Sequence, residues 1–266
     1  MDYEYKTKPF KHQAEAIKES WFKEFYALFM EMGTGKSKVA IDNIGMLYER
    51  ELVDAALIIA PKGVYDNWVK GEIPTHLPDR IQRDVLRWEP KKTKGFGKRV
   101  DDFIMDEFIG VKIFVMNIEA LSTARGAGTA GRFLVQNPNN IVVVDESTTI
   151  KNRKAARTKN LQVLQKYAKY RRILTGSPIT KSPMDLFSQC SFLEEKALGY
   201  NSYFAFQNRY AVVRQQKMGQ RSFQEIVGYR RLDELNEKLV QFSKRILKSE
   251  CLDLPDKLYT KRYVAL

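Results

Sequence analysis

The chain has 266 residues, of which 44% are hydrophobic, and its 45 basic and 32 acidic side chains give a net charge of +13. That length allows one large domain or two small ones with a sizeable core, and the composition is that of an ordinary globular protein. No apolar run is long enough to cross a bilayer, and the charged N-terminus, Met1-Asp2-Tyr3-Glu4-Tyr5-Lys6, has no secretory apolar region, so a membrane or secreted protein is not expected. Cys190 and Cys251 stand apart from each other and from the two histidines, His12 and His76, which argues against a zinc site and fits a reducing compartment. The expected location is cytoplasmic, or nucleoid or nuclear. The positive charge suggests a polyanionic partner, with nucleic acid as first candidate.

In chain order, Phe10, Ala14, Ile17 and Trp21 recur at helical spacing and predict a first helix with Gln13 near its start. The apolar run Phe25–Met30 predicts a strand. Glu31-Met32-Gly33-Thr34-Gly35-Lys36-Ser37 follows as a glycine-rich turn, and an amphipathic helix then runs to about Glu49. Residues 55–60 are continuously apolar and stop at Pro61, as in a strand buried on both faces of a parallel sheet. A short helix is expected over 64–69, a strand over 81–88, a Lys/Gly-rich loop over 89–99 and a short helix near 100–108. Residues 111–116 read as a strand. The glycine-rich stretch 124–131 reads as a mobile surface loop. A strand over 141–144 ends in Asp145-Glu146, a helix covers about 155–168, and a strand over 172–175 ends in Gly176-Ser177-Pro178.

Strands alternating with helices predict a doubly wound α/β layer, with its ligand at the carboxyl ends of the strands. Beyond about Pro183 the pattern changes. Helices are expected over 183–194 and 201–209, a hairpin turning at Met218-Gly219, and a last helix over about 232–242. The expected organisation is therefore a core over 1–182 and a helical and hairpin extension over 183–266.

The turn at 31–37 carries the chemistry. Backbone N–H groups at a helix N-terminus, reinforced by the helix dipole, form a cradle for phosphate. Lys36 is placed to reach the β- and γ-phosphates, and the Ser37 hydroxyl to bind Mg²⁺. The strict pattern G-x-x-x-x-G-K-[ST] would put a first glycine where this chain has Met30. Asp145-Glu146 supplies the second half of an ATPase site: Asp145 to hold Mg²⁺, and Glu146 to orient and deprotonate the attacking water.

Glu31 to Ser37, followed by Ile58-Ile59-Ala60-Pro61-Lys62 and Asn67-Trp68, resembles motifs I and Ia of superfamily 2 helicases, most of all the Swi/Snf-type DNA translocases. Val143 to Asn152 is similar to their motif II, and Leu174-Thr175-Gly176-Ser177-Pro178-Ile179 to their motif III. The similarity runs on through Asp185-Leu186-Phe187, Tyr203–Tyr210, Arg245-Ile246-Leu247-Lys248 and Asp253-Leu254-Pro255-Asp256-Lys257, covering nearly the whole chain in the family's order.

The resemblance implies a RecA-like P-loop NTPase lobe: a mostly parallel sheet flanked by helices, with a C-terminal helical and β-hairpin extension. It implies ATP and Mg²⁺ as ligands, with Gly33, Thr34, Gly35, Lys36 and Ser37 on the phosphates and Gln13 on the adenine edge. It places Lys62 and Asn117 beside a nucleic-acid track, and Thr175 and Ser177 in the motif that couples nucleotide state to DNA grip. By themselves, Asn117 could equally cap a helix, Trp68 fits core packing better than DNA contact, and Lys151 and Asn152 could cap the helix after motif II. The basic hairpin with Arg214, Lys217 and Arg221 fits a solvated face better than a DNA finger.

Ser147 and Thr148 replace the family's usual Ala-His. Motifs IV to VI do not follow, so the second RecA-like lobe, which supplies an arginine finger, is expected as a partner. Arg171 and Arg172 start the motif III strand, at the far end from the ligand, and are not expected to substitute. The implied activity is ATP hydrolysis coupled to movement on duplex DNA by a monomer gripping phosphates. The rivals are an RNA helicase lobe and a nucleic-acid-binding module without turnover.

Overall fold

The computed structural model describes residues 3–91, 93–218 and 221–251. Asp253–Lys257, Gly219 and the side chains of Lys217 and Arg221 lie outside the described residues.

Seven strands form one sheet in the order β3-β4-β2-β5-β6-β1-β9, and all of its pairings are parallel. They are β1 (Phe25–Met30), β2 (Ala55–Ala60), β3 (Arg83–Arg87), β4 (Val111–Asn117), β5 (Asn140–Asp145), β6 (Tyr170–Leu174) and β9 (Ser243–Ile246). The antiparallel ribbon β7 (Ala211–Met218) and β8 (Arg221–Tyr229) forms a second sheet. The central strands β2, β4 and β5 are buried along their whole length, which explains why their interiors are apolar rather than alternating, apart from Lys112 in β4, whose ammonium donates to the Ile104 and Asp106 carbonyls.

Helices cover both faces. On one lie α1 (Lys11–Ser20), α2 (Lys36–Glu49), α3 (Tyr65–Asn67) and α4 (Ile73–His76), with the π-helical turn Trp68–Glu72 joining α3 to α4. On the other lie α5 (Lys94–Met105), α6 (Ala124–Gln136), α7 (Ala156–Leu164), α8 (Asp185–Leu193), α9 (Tyr203–Tyr210) and α10 (Leu232–Val240). A short α11 (Lys248–Cys251) follows β9. Alternate residues of each strand feed the two cores: Leu57 and Ile59 face one, Ala56 and Ile58 the other.

Several expectations change. The glycine-rich stretch 124–131 is not a loop but the body of α6. Thr123 caps it, accepting from the Gly126 N–H at 3.0 Å. A Cβ on Gly126 would stand 2.2 Å from the Ala120 carbonyl, so this glycine lets the helix close against the preceding turn. Glycine costs a helix up to about 1 kcal/mol per residue. Burying Phe133, which stacks on Phe103 at 5.7 Å, together with Leu134 offsets that cost, and those anchors lie beyond the glycine-rich window. Helix α5 likewise starts within the expected loop, because Thr93 accepts from the Phe96 N–H at 3.2 Å and Phe96 is buried.

In α1 the buried stripe is Gln13, Ala16, Ile17 and Ser20, while Phe10 is exposed. Strand β9 had no sequence signal. It is short and polar, yet it pairs along β1 from Ala27↔Ser243 to Met30↔Ile246, so the C-terminal part contributes to the main sheet.

Candidate nucleotide site

The phosphate turn leaves β1 at Met30 and enters α2 at Lys36. Gly33 and Gly35 have φ of 83° and 86°, the left-handed region that glycine enters without penalty. Met30 is fully buried and still pairs in the sheet, so the turn begins after it and no glycine is required there. The Thr34 hydroxyl donates to the Glu31 carbonyl at 2.8 Å and stiffens the turn from within.

Helix α1 braces this turn. Gln13 Nε2 donates to the Thr34 carbonyl at 3.1 Å, and His12 Nε2 meets the same oxygen at 2.9 Å. Gln13 Oε1 accepts from the Phe10 N–H at 3.0 Å. A Cβ on Gly35 would lie 2.2 Å from Gln13 Nε2, so the second glycine is fixed by close approach as well as by φ.

The acidic pair sits at the end of β5, one strand beyond β6 from β1. Asp145 Oδ1 accepts from the Glu146 N–H at 2.9 Å and Oδ2 from the Trp68 indole N–H at 2.9 Å. Burial pushes the Asp145 carboxyl above the usual range, while the Trp68 N–H and the nearby Lys36 ammonium pull it back. A buried carboxylate facing a lysine is a suitable oxygen donor for a hard divalent cation, whose charge would offset the desolvation.

Glu146 is left-handed, with φ 50° and ψ 61°, which turns its side chain back toward β6. Its Oε1 accepts from the Thr175 hydroxyl at 2.7 Å and the Thr148 hydroxyl at 3.0 Å. Thr175 is fully buried and also accepts from the Ser177 N–H at 3.2 Å. Ser147, the other unusual residue of this segment, donates to Gln189 Oε1 at 2.7 Å, and Gln189 Nε2 donates to the carbonyls of Pro178 and Asp185. Motif II is thereby tied to motif III twice, once through Thr175 and once through Gln189.

The carboxyl ends of β1, β5 and β6 thus gather Gln13, Gly33, Thr34, Gly35, Lys36, Ser37, Asp145, Glu146 and Thr175, and Ser177 follows, exposed, in the next turn. Lys62 is exposed on the loop after β2. Asn117 ends β4, four strand spacings from β1, or about 19 Å. It is buried: its Nδ2 donates to Glu119 at 2.9 Å, while Oδ1 has no partner. Lys151 bonds Thr180, and Asn152 Oδ1 accepts from the Lys154 N–H, a local cap.

Three contributors had no sequence signal: the Trp68 contact to Asp145, the Thr148 contact to Glu146 and the Gln189 bridge. Each is a tertiary contact that spacing cannot register. Trp68 is also the core residue it was expected to be, at 1% exposure, with only its N–H directed to the site.

A parallel sheet with a phosphate turn and an acidic pair at neighbouring strand ends defines a RecA-like P-loop lobe. Residues 26–266 match the SNF2-related domain, and the chain belongs to that family. It is 29% identical over 229 residues to the DNA annealing helicase and endonuclease ZRANB3 of Mus musculus, covering 86% of this chain and 20% of that protein. It is 25% identical over 179 residues to the ISWI chromatin-remodeling complex ATPase ISW2 of Saccharomyces cerevisiae, covering 65% of this chain and 14% of that protein. The fold is similar to the Sulfolobus solfataricus SWI2/SNF2 ATPase core solved in complex with dsDNA, with a TM-score of 0.67 at 20% identity over 93% of this chain and 46% of that one. The chain thus spans about a fifth or less of the relatives' length.

Proposed function

We propose that this chain is the ATP-binding lobe of an ATP-dependent DNA translocase, with ATP and Mg²⁺ held at 33–37 and 145–146. The observation that carries this reading is the convergence of Lys36 with Asp145 and Glu146 at the strand ends, each carboxylate already oriented by a neutral donor. Mg²⁺, when bound, supplies positive charge against the phosphate oxygens. The turn's N–H groups and Lys36 hold and neutralise the polyphosphate, with Ser37 and Asp145 as the metal's protein donors. Gln13 and His12 keep α1 against the turn, and Gln13 is the residue that the family resemblance assigns to the adenine edge. Glu146 is fixed through Oε1 by two hydroxyls, which leaves Oε2 to take the proton of an attacking water. Loss of the nucleotide would be felt by Thr175 through Glu146, and by the Ser177 turn bonded to Thr175.

The partner is duplex DNA bound through phosphates, supported by the +13 charge and by relatives whose names speak of DNA rather than RNA. Lys62, Ser177 and the Asn117 turn form the side that would face it. A second RecA-like lobe completes the site, supported by solved cores of which this chain covers 46% and 47%. In related phosphoryl-transfer enzymes an arginine finger is worth about 10³–10⁵ in rate. Titration calorimetry of residues 1–266 tests the nucleotide site: Lys36→Ala should lose most ATP and ADP affinity while keeping its circular dichroism spectrum, and unchanged affinity would remove the assignment.

A further inference from the structure

Strand β9 delivers the chain to the phosphate turn. Ile246 pairs with Met30, the last residue of β1, and its carbonyl accepts from the Glu31 N–H at 3.0 Å. The backbone then bends into α11 beside the turn. The Lys248 N–H donates to Glu31 Oε2 at 2.6 Å, which pins the start of α11 to the first residue of the turn. The Leu247 N–H is satisfied by Glu250 Oε2 at 3.0 Å. Glu31 and Glu250 thus each accept a backbone N–H group at the start of α11.

The Lys248 side chain lies over Gly33. A Cβ built on Gly33 would stand 3.3 Å from Lys248 Cε and 3.5 Å from Nζ, so the glycine makes room for the lysine stem and its ammonium lies at the turn. Gly33 is exposed, and Lys248 is partly exposed. A second ammonium is therefore held at the turn already served by Lys36, from an element more than 200 residues away in sequence. Glu31 and Asp145 each offset part of this positive charge, and a polyphosphate seated on the turn would meet both ammonium groups.

We propose that Lys248 is a second phosphate ligand of the nucleotide site, donating to the polyphosphate of a nucleoside triphosphate from the open side of the turn. This rests on the nucleotide reading above and extends it to the C-terminal strand. It also means that nucleotide adds a contact to α11, which Glu31 already holds at the turn, so that the segment leaving the sheet registers the occupancy of the turn.

The test is calorimetric titration of residues 1–266 with ATP, inorganic tripolyphosphate and adenosine. Lys248→Gln keeps the length of the stem and removes the charge. It should weaken both ATP and tripolyphosphate by about ten- to a hundredfold, the worth of one charge-assisted hydrogen bond, and leave adenosine binding unchanged. Lys248→Arg should recover most of the loss. Equal affinity of Lys248→Gln and the parent for ATP and tripolyphosphate would overturn the assignment of Lys248 alone. So would equal losses for all three ligands, which would mark a collapse of the turn. Failure of the parent chain to bind ATP or tripolyphosphate at all would instead overturn the nucleotide reading itself.

Discussion

Arg172 is fully buried in the middle of β6 and has no carboxylate partner among the described residues. Its guanidinium donates to Asn43 Oδ1 at 2.9 Å, to the Ser20 carbonyl at 2.6 Å and to the Arg171 carbonyl at 2.9 Å, with longer contacts to the Glu24 and Trp21 carbonyls at 3.3 Å. Ser20 and Trp21 end α1, so Arg172 satisfies orphan carbonyls and sits at the negative end of the helix dipole. Burial still pushes its pKa down to about 9, so the ion carries a real desolvation cost. Three short bonds to a charged group are worth about 1.5–3 kcal/mol each, and the buried ion gives back several kcal/mol of that. Arg172→Met should therefore cost about 3–5 kcal/mol, chiefly from acceptors left dry, and lower the melting temperature by about 10 °C for a domain of this size. Arg172→Lys should be little better, since one nitrogen cannot reach both Asn43 and the end of α1. Urea and thermal unfolding followed by circular dichroism give both values. A loss below about 1 kcal/mol for Arg172→Met would refute the reasoning. The strand starts at Tyr170 rather than at Arg172 as expected, and it is the bonds of Arg172 to Asn43 and the end of α1 that give it a structural role.

In a protein carrying both lobes, Glu146→Gln should bind ATP like the parent and lose about 10²–10⁴ in turnover, because the amide cannot accept the proton; parental turnover would place the base elsewhere. Trp68→Phe removes the N–H that faces Asp145 while keeping most of the ring. Mg²⁺-dependent ADP affinity, measured by calorimetry with and without a chelator, should fall about tenfold or more, as expected for a hydrogen bond to a charged group, and metal-free binding should not change. An unaltered response to Mg²⁺ would make that bond purely structural.

The parts of the fold that could be read in the sequence are those whose signal is local. Residues 25–30 and 55–60 are strands at the expected boundaries because burial on both faces demands an unbroken apolar run. The turn at 31–37 was legible because glycine conformation and phosphate chemistry restrict the residues together. Helix α6 was not, since its glycines serve close packing on Ala120 and its hydrophobic anchors come later. Strand β9, with Ser243, Lys244 and Arg245, has no strand-like composition; it forms because β1 offers an open edge. In the site, Lys36 and the acidic pair were visible, whereas Trp68, Thr148, Gln189 and Lys248 join it only through contacts that folding creates.

The placement of β9 also bears on how the chain comes to be folded. Strand β1, Phe-Tyr-Ala-Leu-Phe-Met, is uncharged, and one of its two edges is closed only by residues 243–246. During synthesis that edge stays open until residues 243–246 have left the ribosome. A bare, aromatic-rich edge is the kind of surface on which chains pair wrongly with one another. Strand β9 therefore completes a wall of the phosphate turn and, in the same act, covers an edge on which chains could pair wrongly.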